Sequence, residues 1–383
     1  MARRATLLLA LLLLAAGAAW LLLREPERPP VAARLSVATV LETSPEAGFA
    51  RALAPRGFAF PADHGPHPGF RTEWWYFTGN LEAAGGRRFG YQLTFFRNAL
   101  APGAVARASR WGAREAWLAH FALTDVEGRR FHAFERFRRG ALGLAGAEAA
   151  PFRVWLDRWE ASGAPFPLTL RAAAGEVALD LRLARGKPPV LQGEDGLSRK
   201  GAAPGQASYY YSLTRMPTTG RLRLAGEDLP VRGLSWMDRE WSTSSLSPGQ
   251  VGWDWFALQL ADGRELMLYR MRLEDGIDPA SAGSLVAADG GKRHLARGDF
   301  AVAALTRWRS PAGGSYPARW RVRVPSAGLD LEIRPLVADQ EHRGVFRYWE
   351  GAVAARGTSG GAPIAGRGYV ELTGYTDTAK EIR

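Results

Sequence analysis

Two carboxylates and two indoles share a short stretch near the middle of the chain, Ser235-Trp236-Met237-Asp238-Arg239-Glu240-Trp241. In an extended strand alternate side chains point to the same face, so Asp238 and Glu240 would lie there together with Trp236. A carboxyl group beside apolar rings loses solvation, its pKa rises, and it can act as a general acid. An ion pair of Asp238 with Arg239 or another arginine is the structural alternative, so the residues alone make Asp238 a candidate acid.

Aromatic side chains form a second group of candidates, because they make up 11% of the chain and cluster where strands are predicted to start. At one such start Trp74 and Tyr76 would share a face, opposite Trp75 and Phe77. In a small barrel, inward rings either fill the core or line a cavity for one hydrophobic ligand. For any single ring, filling the core is a sufficient explanation, but the large number of indoles with polar N–H groups favours a pocket.

Two further motifs carry less weight. His64 and His67, with Asp63 beside them, could ligate a divalent metal, but loop histidines before a strand more often make ordinary hydrogen bonds. We therefore expect no metal and no other cofactor. The segment Gly357-Thr358-Ser359-Gly360-Gly361 has a serine-hydrolase pattern, yet no histidine follows Ser359 and no helix is signalled, so a β-turn is expected.

The composition excludes several classes of function. With no cysteine in the 383 residues, disulfides, thiol nucleophiles and thiolate metal sites are ruled out. The net charge of +12 would suit nucleic acid, but the basic residues are scattered and no basic run is interleaved with aromatics. We therefore expect no nucleic-acid partner, and at most a weak attraction to anionic lipid.

The N-terminus has the pattern of an export segment, since Arg3 and Arg4 precede an uncharged stretch from Ala5 to Leu23 that ends in charged residues and prolines. This stretch is longer than a usual signal core and approaches the roughly 20 residues that span a bilayer. A cleaved signal peptide and a membrane anchor, over residues 1–24, both remain open. Either would place the body of the protein on the periplasmic side of a bacterial cell envelope.

The remaining chain is predicted to be almost entirely β-structure. Residues 25–56 are expected to form a linker with one short helix from Glu46 to Leu53, because Ser44 is a good N-cap. From Phe58 onward, short aromatic and aliphatic runs are broken regularly by Gly, Pro or Asp-Gly, which indicates an antiparallel sandwich or barrel. Strands are predicted over 74–81, 89–97, 117–124, 168–172, 177–183, 209–214, 253–260, 265–272, 300–305, 318–324, 329–335, 346–354 and 368–373.

Two pairs of segments indicate that one β-domain was duplicated. Trp74 to Leu81 and Trp253 to Leu260 share Trp, an aromatic pair, an amide and Leu at the same offsets, and each opens a hairpin. A looser match pairs Gly233 to Asp238 with Arg367 to Glu371, where an aromatic residue comes two positions before an acid. The two domains are predicted to span 57–241 and 242–383.

Several segments together resemble the AttH/carotenoid 1,2-hydratase family: His67 to Leu81, Tyr209 to Ser212, Ser235 to Trp241, Gly252 to Phe256, Tyr348 to Gly351 and Gly368 to Tyr375. The resemblance spans about Phe58 to the C-terminus. It implies two tandem lipocalin-like antiparallel β-barrels, often on a secreted or membrane-anchored protein. Some relatives are associated with ABC-transporter components, which makes these candidate partners.

The resemblance also implies a site. In the hydratase branch, acid-catalysed addition of water to a polyene-end double bond is attributed to a His-x-Trp pair and a downstream Tyr-x-Asp pair. The downstream pair falls on Trp236 and Asp238, which keeps the acid and exchanges Tyr for Trp. The earlier pair falls on Tyr209 and Tyr211, so the histidine is replaced while an aromatic cage able to hold a cation survives.

Two functions follow as expectations. The replaced histidine favours a non-catalytic carrier that binds a lipophilic isoprenoid or lipid, as an accessory of an ABC transporter. The alternative is a hydratase or hydrolase, with Asp238 as general acid and with Trp236, Tyr209 and Tyr211 as walls that face the cation. A scaffold with filled cores is a third reading, which a structure without a cavity would favour. In the first two readings the ligand-binding residues are predicted to be Glu73, Trp74, Tyr76, Glu240, Trp253 and Trp255.

Overall fold

The computed structural model describes residues 47–103, 112–163, 166–244 and 246–376. The predicted export segment lies outside these residues, so its cleavage and the envelope location stay predictions. Within the described ranges, no helix has the length and apolar character that crossing a membrane requires. The helical segments found there are single 3-10 turns at Ala62–His64, Ala84–Gly86, Arg297–Asp299 and Pro325–Ala327.

The first antiparallel sheet takes in the described chain up to Ser242. Its strands are β1 (Thr72–Ala83), β2 (Arg88–Ala99), β3 (Glu115–Asp125), β4 (Arg130–Arg139), β5 (Ala145–Ala149), β6 (Phe152–Leu156), β7 (Trp159–Gly163), β8 (Leu168–Ala174), β9 (Val177–Leu183), β10 (Val190–Leu191), β11 (Leu197–Arg199), β12 (Ala207–Leu224) and β13 (Glu227–Ser242). In space they follow the order β4-β3-β2-β1-β13-β12-β9-β8-β7-β6-β5, and β10 and β11 pair with β12.

The second antiparallel sheet begins at Gln250. Its strands are β14 (Gln250–Leu260), β15 (Glu265–Leu273), β16 (Gly276–Ile277), β17 (Ala282–Val286), β18 (Lys292–Leu295), β19 (Ala301–Arg309), β20 (Ser315–Val324), β21 (Leu329–Pro335), β22 (Glu341–Arg343), β23 (Arg347–Ser359) and β24 (Ala362–Leu372). The spatial order is β18-β17-β15-β14-β24-β23-β21-β20-β19, with β16 on β15 and β22 on β23.

The two sheets are built alike. In each, the first strand of a long hairpin, β1–β2 or β14–β15, pairs with the last strand of the sheet, β13 or β24. Tyr76 therefore lies opposite Asp238, and Trp255 lies opposite Glu371. The predicted all-β class is confirmed, and the sheets are barrel-like. The predicted domain boundary stays a prediction, since the described residues all belong to one compact unit.

Strand alternation decides which side chains reach which core. Trp75 and Phe77 point into the apolar core of the first sheet, whereas Tyr76 lies between the sheets, as predicted. The second sheet has its own core, which includes Phe256 and Trp320. The layer between the sheets is made of Tyr76, Tyr210, Trp236, Trp255, Ala257, Met267, Tyr269, Met271, Ala282, Ala352 and Tyr369. Rings that carry hydroxyl or N–H groups are thus gathered where the two sheets meet.

The helix predicted in the linker is wrong for its described part, because residues 47–53 form a turn followed by chain without regular secondary structure. The N–H of Ala50 donates to the carbonyl of Gly69 at 2.9 Å, and the carbonyl of Ala50 accepts a hydrogen bond from Thr243. Ala52 is buried in the first core. Hydrogen bonds to the segments that flank β1 and β13, together with the packing of Ala52, outweigh a local helix preference that is weak in any case.

Glu73 on β1 ties three central strands of the first sheet together. Its carboxylate lies 3.0 Å from Arg97 on β2 and 2.6 Å from Arg239 on β13, and all three side chains are buried. Burial alone would raise the pKa of Glu73, but Arg239, Arg97 and a hydrogen bond from His67 lower it to about 2. Removing one partner of such a group leaves the others charged and unpaired in the interior.

Glu73→Gln should lower the free energy of unfolding by about 3 to 5 kcal/mol, because Arg97 and Arg239 would lose their buried counter-charge. Since the folded pKa is depressed, this contribution is complete above the ordinary value of 4.5 and is lost as the pH falls through about 2. Denaturant unfolding at neutral and acid pH measures both effects.

The matched control is Glu82→Gln, which removes an exposed pair with Arg367 and should cost less than about 1 kcal/mol. If Glu73→Gln were as mild as this control, the buried ion group would not support the sheet.

Candidate active site between the two sheets

A cavity of about 340 Å³ lies between the sheets, which is within the size range of pockets that enclose small organic ligands. Its presence counts against a scaffold with filled cores. Apolar walls are provided by Trp74, Phe96, Leu118, Phe137, Leu246, Trp253, Trp255, Met271 and Phe346. Besides Glu73, four carboxyl groups border the same space, those of Asp238, Glu240, Glu350 and Glu371.

Asp238 on β13 is held by three hydrogen-bond donors. Its Oδ1 accepts from Trp236 Nε1 at 2.6 Å and from Ser212 Oγ at 2.5 Å, and its Oδ2 accepts from Tyr210 Oη at 2.5 Å. Trp255 of the second sheet donates to Tyr210 Oη at 3.2 Å. Alternation on two paired strands, β12 and β13, brings these groups to one face and fixes the direction of the carboxyl group.

Burial raises the pKa of Asp238 to about 7, even though the three hydrogen bonds favour the charged form. The charge of Glu240 adds to the rise. Near neutral pH a large share of Asp238 is therefore the neutral acid. A general acid works best when its pKa lies close to the pH at which it operates, so Asp238 is suited to give and take protons.

The second sheet brings a carboxyl pair to the same cavity. Glu350 on β23 lies directly opposite Glu371 on β24, and it accepts hydrogen bonds from Tyr76 and, at 2.7 Å, from Gln92 Nε2 of the first sheet. Burial raises the pKa of both groups, that of Glu371 to about 8, and the charge of Glu371 raises that of Glu350 further. Two carboxyl groups this close do not both ionise readily, so the pair retains a proton.

Lys200 brings a positive charge to this group of acids. Its Nζ lies 3.2 Å from Glu240 Oε1, and it sits over the rings of Tyr269 and Tyr210, 4.0 Å and 5.0 Å from their centroids. Burial opposes the charge of Lys200, but Glu240, Tyr269 and Asp238 together outweigh burial and raise the pKa of the ammonium. Ser208 also donates to Glu240. Glu240 is therefore charge-paired, whereas Asp238 is surrounded by neutral donors.

The structure does not bring Tyr209 and Tyr211 to Asp238. Alternation along β12 points both rings into the core of the first sheet, where Tyr211 Oη lies 2.5 Å from His64 Nδ1. Tyr210, which lies between them in sequence, faces the cavity and contacts the acid instead. The spacing taken from the family motif placed the cation-facing rings one residue away from the strand position that reaches the site.

The other predicted residues are gathered at the cavity. Trp236 contacts Asp238, and the residues that line the cavity include Glu73, Trp74, Tyr76, Glu240, Trp253 and Trp255. The rings of Tyr76 and Trp255 meet edge to face, with centroids 5.1 Å apart, so each sheet contributes one ring to this contact. The carboxylate of Glu73 differs from the rest, because it is engaged by two arginines at the edge of the cavity.

The predicted histidine cluster supports the first core instead. His67 stacks on Trp241 with ring centroids 3.7 Å apart, and its Nε2 lies 3.0 Å from Asp63 Oδ1. Burial lowers the pKa of His64 to about 4, so this ring is neutral in its contact with Tyr211. Both histidines thus make the hydrogen bonds expected of ordinary loop residues.

Sequence reasoning missed four side chains of the site, those of Lys200, Tyr210, Glu350 and Glu371. The two glutamates had a signal, because each follows an aromatic residue by two positions, as Asp238 does, and this spacing puts ring and acid on one face of a strand. Lys200 had no such signal in the sequence, because it follows a three-residue strand and reaches the cavity from a loop.

The fold and the cavity define a class: lipocalin-like proteins with two barrel-like antiparallel sheets that enclose a pocket of buried acids and aromatic rings. The chain belongs to the AttH-like family, whose model matches residues 51–375. The resemblance inferred from the sequence is thereby confirmed.

Relatives include both bacterial and fungal proteins. The crystal structure of an AttH protein from Nitrosomonas europaea is 36% identical, with a TM-score of 0.77, over 86% of this chain and 100% of that one. Kievitone hydratase from Nectria haematococca is 16% identical, with a TM-score of 0.65, over 86% of this chain and 98% of that one, and shows the same fold. The dehydratase asqC of Emericella nidulans is 24% identical over 222 residues, which are 54% of this chain. The match spans 60% of the length of that curated relative.

Asp238→Asn should stabilise the folded protein increasingly as the pH rises. An acid whose pKa rises on folding, here from 3.8 to about 7, contributes most below 3.8, and that contribution is lost as the pH rises through about 7. Asparagine has the same shape without the charge, so its advantage should reach at most roughly 4 kcal/mol above neutral pH. Denaturant unfolding as a function of pH measures the difference.

Asp228→Asn, at the exposed start of the same strand, is the control and should differ from wild type by a small, nearly constant amount. A pH-independent difference for Asp238→Asn would contradict a neutral Asp238.

Proposed function

We propose that this protein is a hydratase or dehydratase that moves a proton between Asp238 and a lipophilic, isoprenoid-like substrate. One observation carries the proposal: a carboxyl group with a pKa of about 7 lies at the wall of a largely aromatic cavity. In such a site a large share of the acid is neutral near physiological pH, and the apolar walls limit the water that competes for its proton.

The reaction can be written with every atom accounted for. In hydration the O–H bond of Asp238 breaks and a C–H bond forms at one alkene carbon, which leaves a cation on the neighbouring carbon. A water molecule adds to the cation through its oxygen and loses a proton to a carboxylate of the cavity. Dehydration is the reverse, in which a protonated hydroxyl leaves as water and a C–H proton returns to Asp238.

The groups around Asp238 stabilise both charges that this reaction creates. Trp236, Ser212 and Tyr210 already donate to the carboxyl oxygens, so they stabilise the carboxylate that forms without reorganising. Trp74 and Trp255 present indole rings to the cavity, and indole faces attract cations more strongly than other aromatic rings do. The site can thus stabilise both the Asp238 carboxylate and the carbocation that form in this step.

The relatives support catalysis over the carrier reading. A hydratase shares the fold, and a dehydratase shares sequence over much of the chain. Burying carboxyl groups is costly, and a carrier that only has to enclose an apolar molecule would gain nothing from four of them. A link to ABC-transporter components stays a prediction.

Asp238→Asn should lower turnover by on the order of 10²-fold or more, because asparagine has no acidic proton to give. The assay incubates the full-length protein in D₂O with a panel of terpenoid alkenes and alcohols. Mass spectrometry then measures the gain or loss of water and the deuterium bound to carbon. Asp228→Asn serves as the matched control and should retain wild-type turnover. Full activity in Asp238→Asn would remove the acid role.

A further inference from the structure

A chain of hydrogen bonds runs from the wall of the cavity to a groove on the outside of the sheets. Gln92 Nε2 donates to Glu350 Oε2 at 2.7 Å and to Tyr348 Oη at 3.1 Å. Tyr348 and Glu350 are two positions apart on β23, so they share a face of the strand as well as this donor. Tyr348 Oη lies 2.5 Å from His120 Nδ1, and His120 Nε2 lies 3.1 Å from Glu135 Oε2. The phenol, the imidazole and the two carboxyl groups can each take up and release a proton.

The two ends of this chain differ in their access to solvent. Glu350 is 1% exposed, whereas the side chain of Glu135 is 16% exposed and borders a groove of about 390 Å³ on the outside of the sheets. His120 and Tyr348 between them are buried. Strand pairing holds the outer link, since His120 on β3 lies directly opposite Glu135 on β4. A buried acid is thus connected to the surface through two buried side chains.

The surroundings of His120 keep its two ring nitrogens on this chain. Phe96 packs against the ring edge to face at 5.5 Å, and His342 stacks on it at 5.2 Å. Burial and the neighbouring His120 lower the pKa of His342 well below its usual value, so His342 stays neutral. The titratable groups that face His120 are therefore Glu135, Tyr348 and a neutral His342.

We propose that Tyr348, His120 and Glu135 form a proton path between the Glu350–Glu371 pair and the outer groove. The path rests on the proposed function, because hydration takes one proton from Asp238 and releases another from the water that adds. A substrate that fills the cavity hinders exchange of that second proton with solvent. The path lets it leave while the substrate is still bound.

Each transfer along the path conserves atoms and charge. As Glu350 gives its proton to Tyr348 Oη, Tyr348 passes its own proton to His120 Nδ1. His120 then gives the proton on Nε2 to Glu135, which exchanges it with water in the outer groove. The same steps in reverse return a proton to the pair, as dehydration requires. Only protons are transferred and no oxidation state changes, so no oxidant or reductant is involved.

The test follows Glu350 itself and needs no substrate. In the full-length Glu371→Gln protein Glu350 is the one titrating member of the pair, so its protonation is followed without coupling to a second carboxyl group. In this background the infrared band of the Glu350 carboxyl group, assigned by its loss in an added Glu350→Gln, is recorded after a pH jump. Adding His120→Gln or Glu135→Gln should slow protonation by about tenfold or more, while the equilibrium midpoint changes little.

The matched control adds His132→Gln, which removes an imidazole from the same strand as Glu135 but outside the chain, and should leave the rate unchanged. Equal rates in the His120→Gln, Glu135→Gln and His132→Gln proteins would overturn the path. Glu135→Gln keeps the test decisive if His120→Gln does not fold, since Glu135 lies at the surface. Because turnover is not measured, failure of the path is distinguishable from failure of Asp238 as the acid.

Discussion

A carboxyl group buried inside a protein must be charge-paired, hydrogen-bonded or neutral, because an isolated buried charge costs more than a domain's whole stability. Glu73 takes the first solution, with Arg97 and Arg239 on either side, and its pKa is about 2. Asp238 instead accepts hydrogen bonds from three neutral donors, and its pKa of about 7 lets it be neutral. Both acids lie in one sheet, but the first supports the fold and the second can do chemistry.

The second constraint is the shared register of the two sheets. Tyr76 opposite Asp238 and Trp255 opposite Glu371 are equivalent pairs, and the rings of both pairs lie in the layer where the two sheets pack together. Each sheet contributes one such ring and one such acid, so the cavity between the sheets has acids on both of its walls. Which acid does what then depends on its neighbours: donors around Asp238, a second carboxyl group beside Glu371.

Local sequence patterns predicted the features that depend on a single strand. They failed for the features that depend on contacts with distant parts of the chain. Alternation and turn signals located strands such as Val177–Leu183 with the bounds the structure has, and the spacing of Trp236 and Asp238 put ring and acid on one face. The strands β4 to β7 carry weaker signals and were not predicted, because β5 to β7 have five residues each and β4 is rich in arginine. The predicted linker helix is wrong because tertiary hydrogen bonds and the packing of Ala52 outweigh local preference, and Lys200 reaches the cavity only through the tertiary fold.

The most direct measurement of the central claim is the protonation of Asp238 itself. In protein labelled with ¹³C at the aspartate side-chain carboxyl carbons, the resonance that disappears in Asp238→Asn identifies the group, and its shift is followed with pH. The account predicts a midpoint near 7, because burial without a counter-charge disfavours the anion. A midpoint near the ordinary 3.8 would mean that Asp238 is a charged structural residue, and the proposed acid chemistry would lose its proton donor.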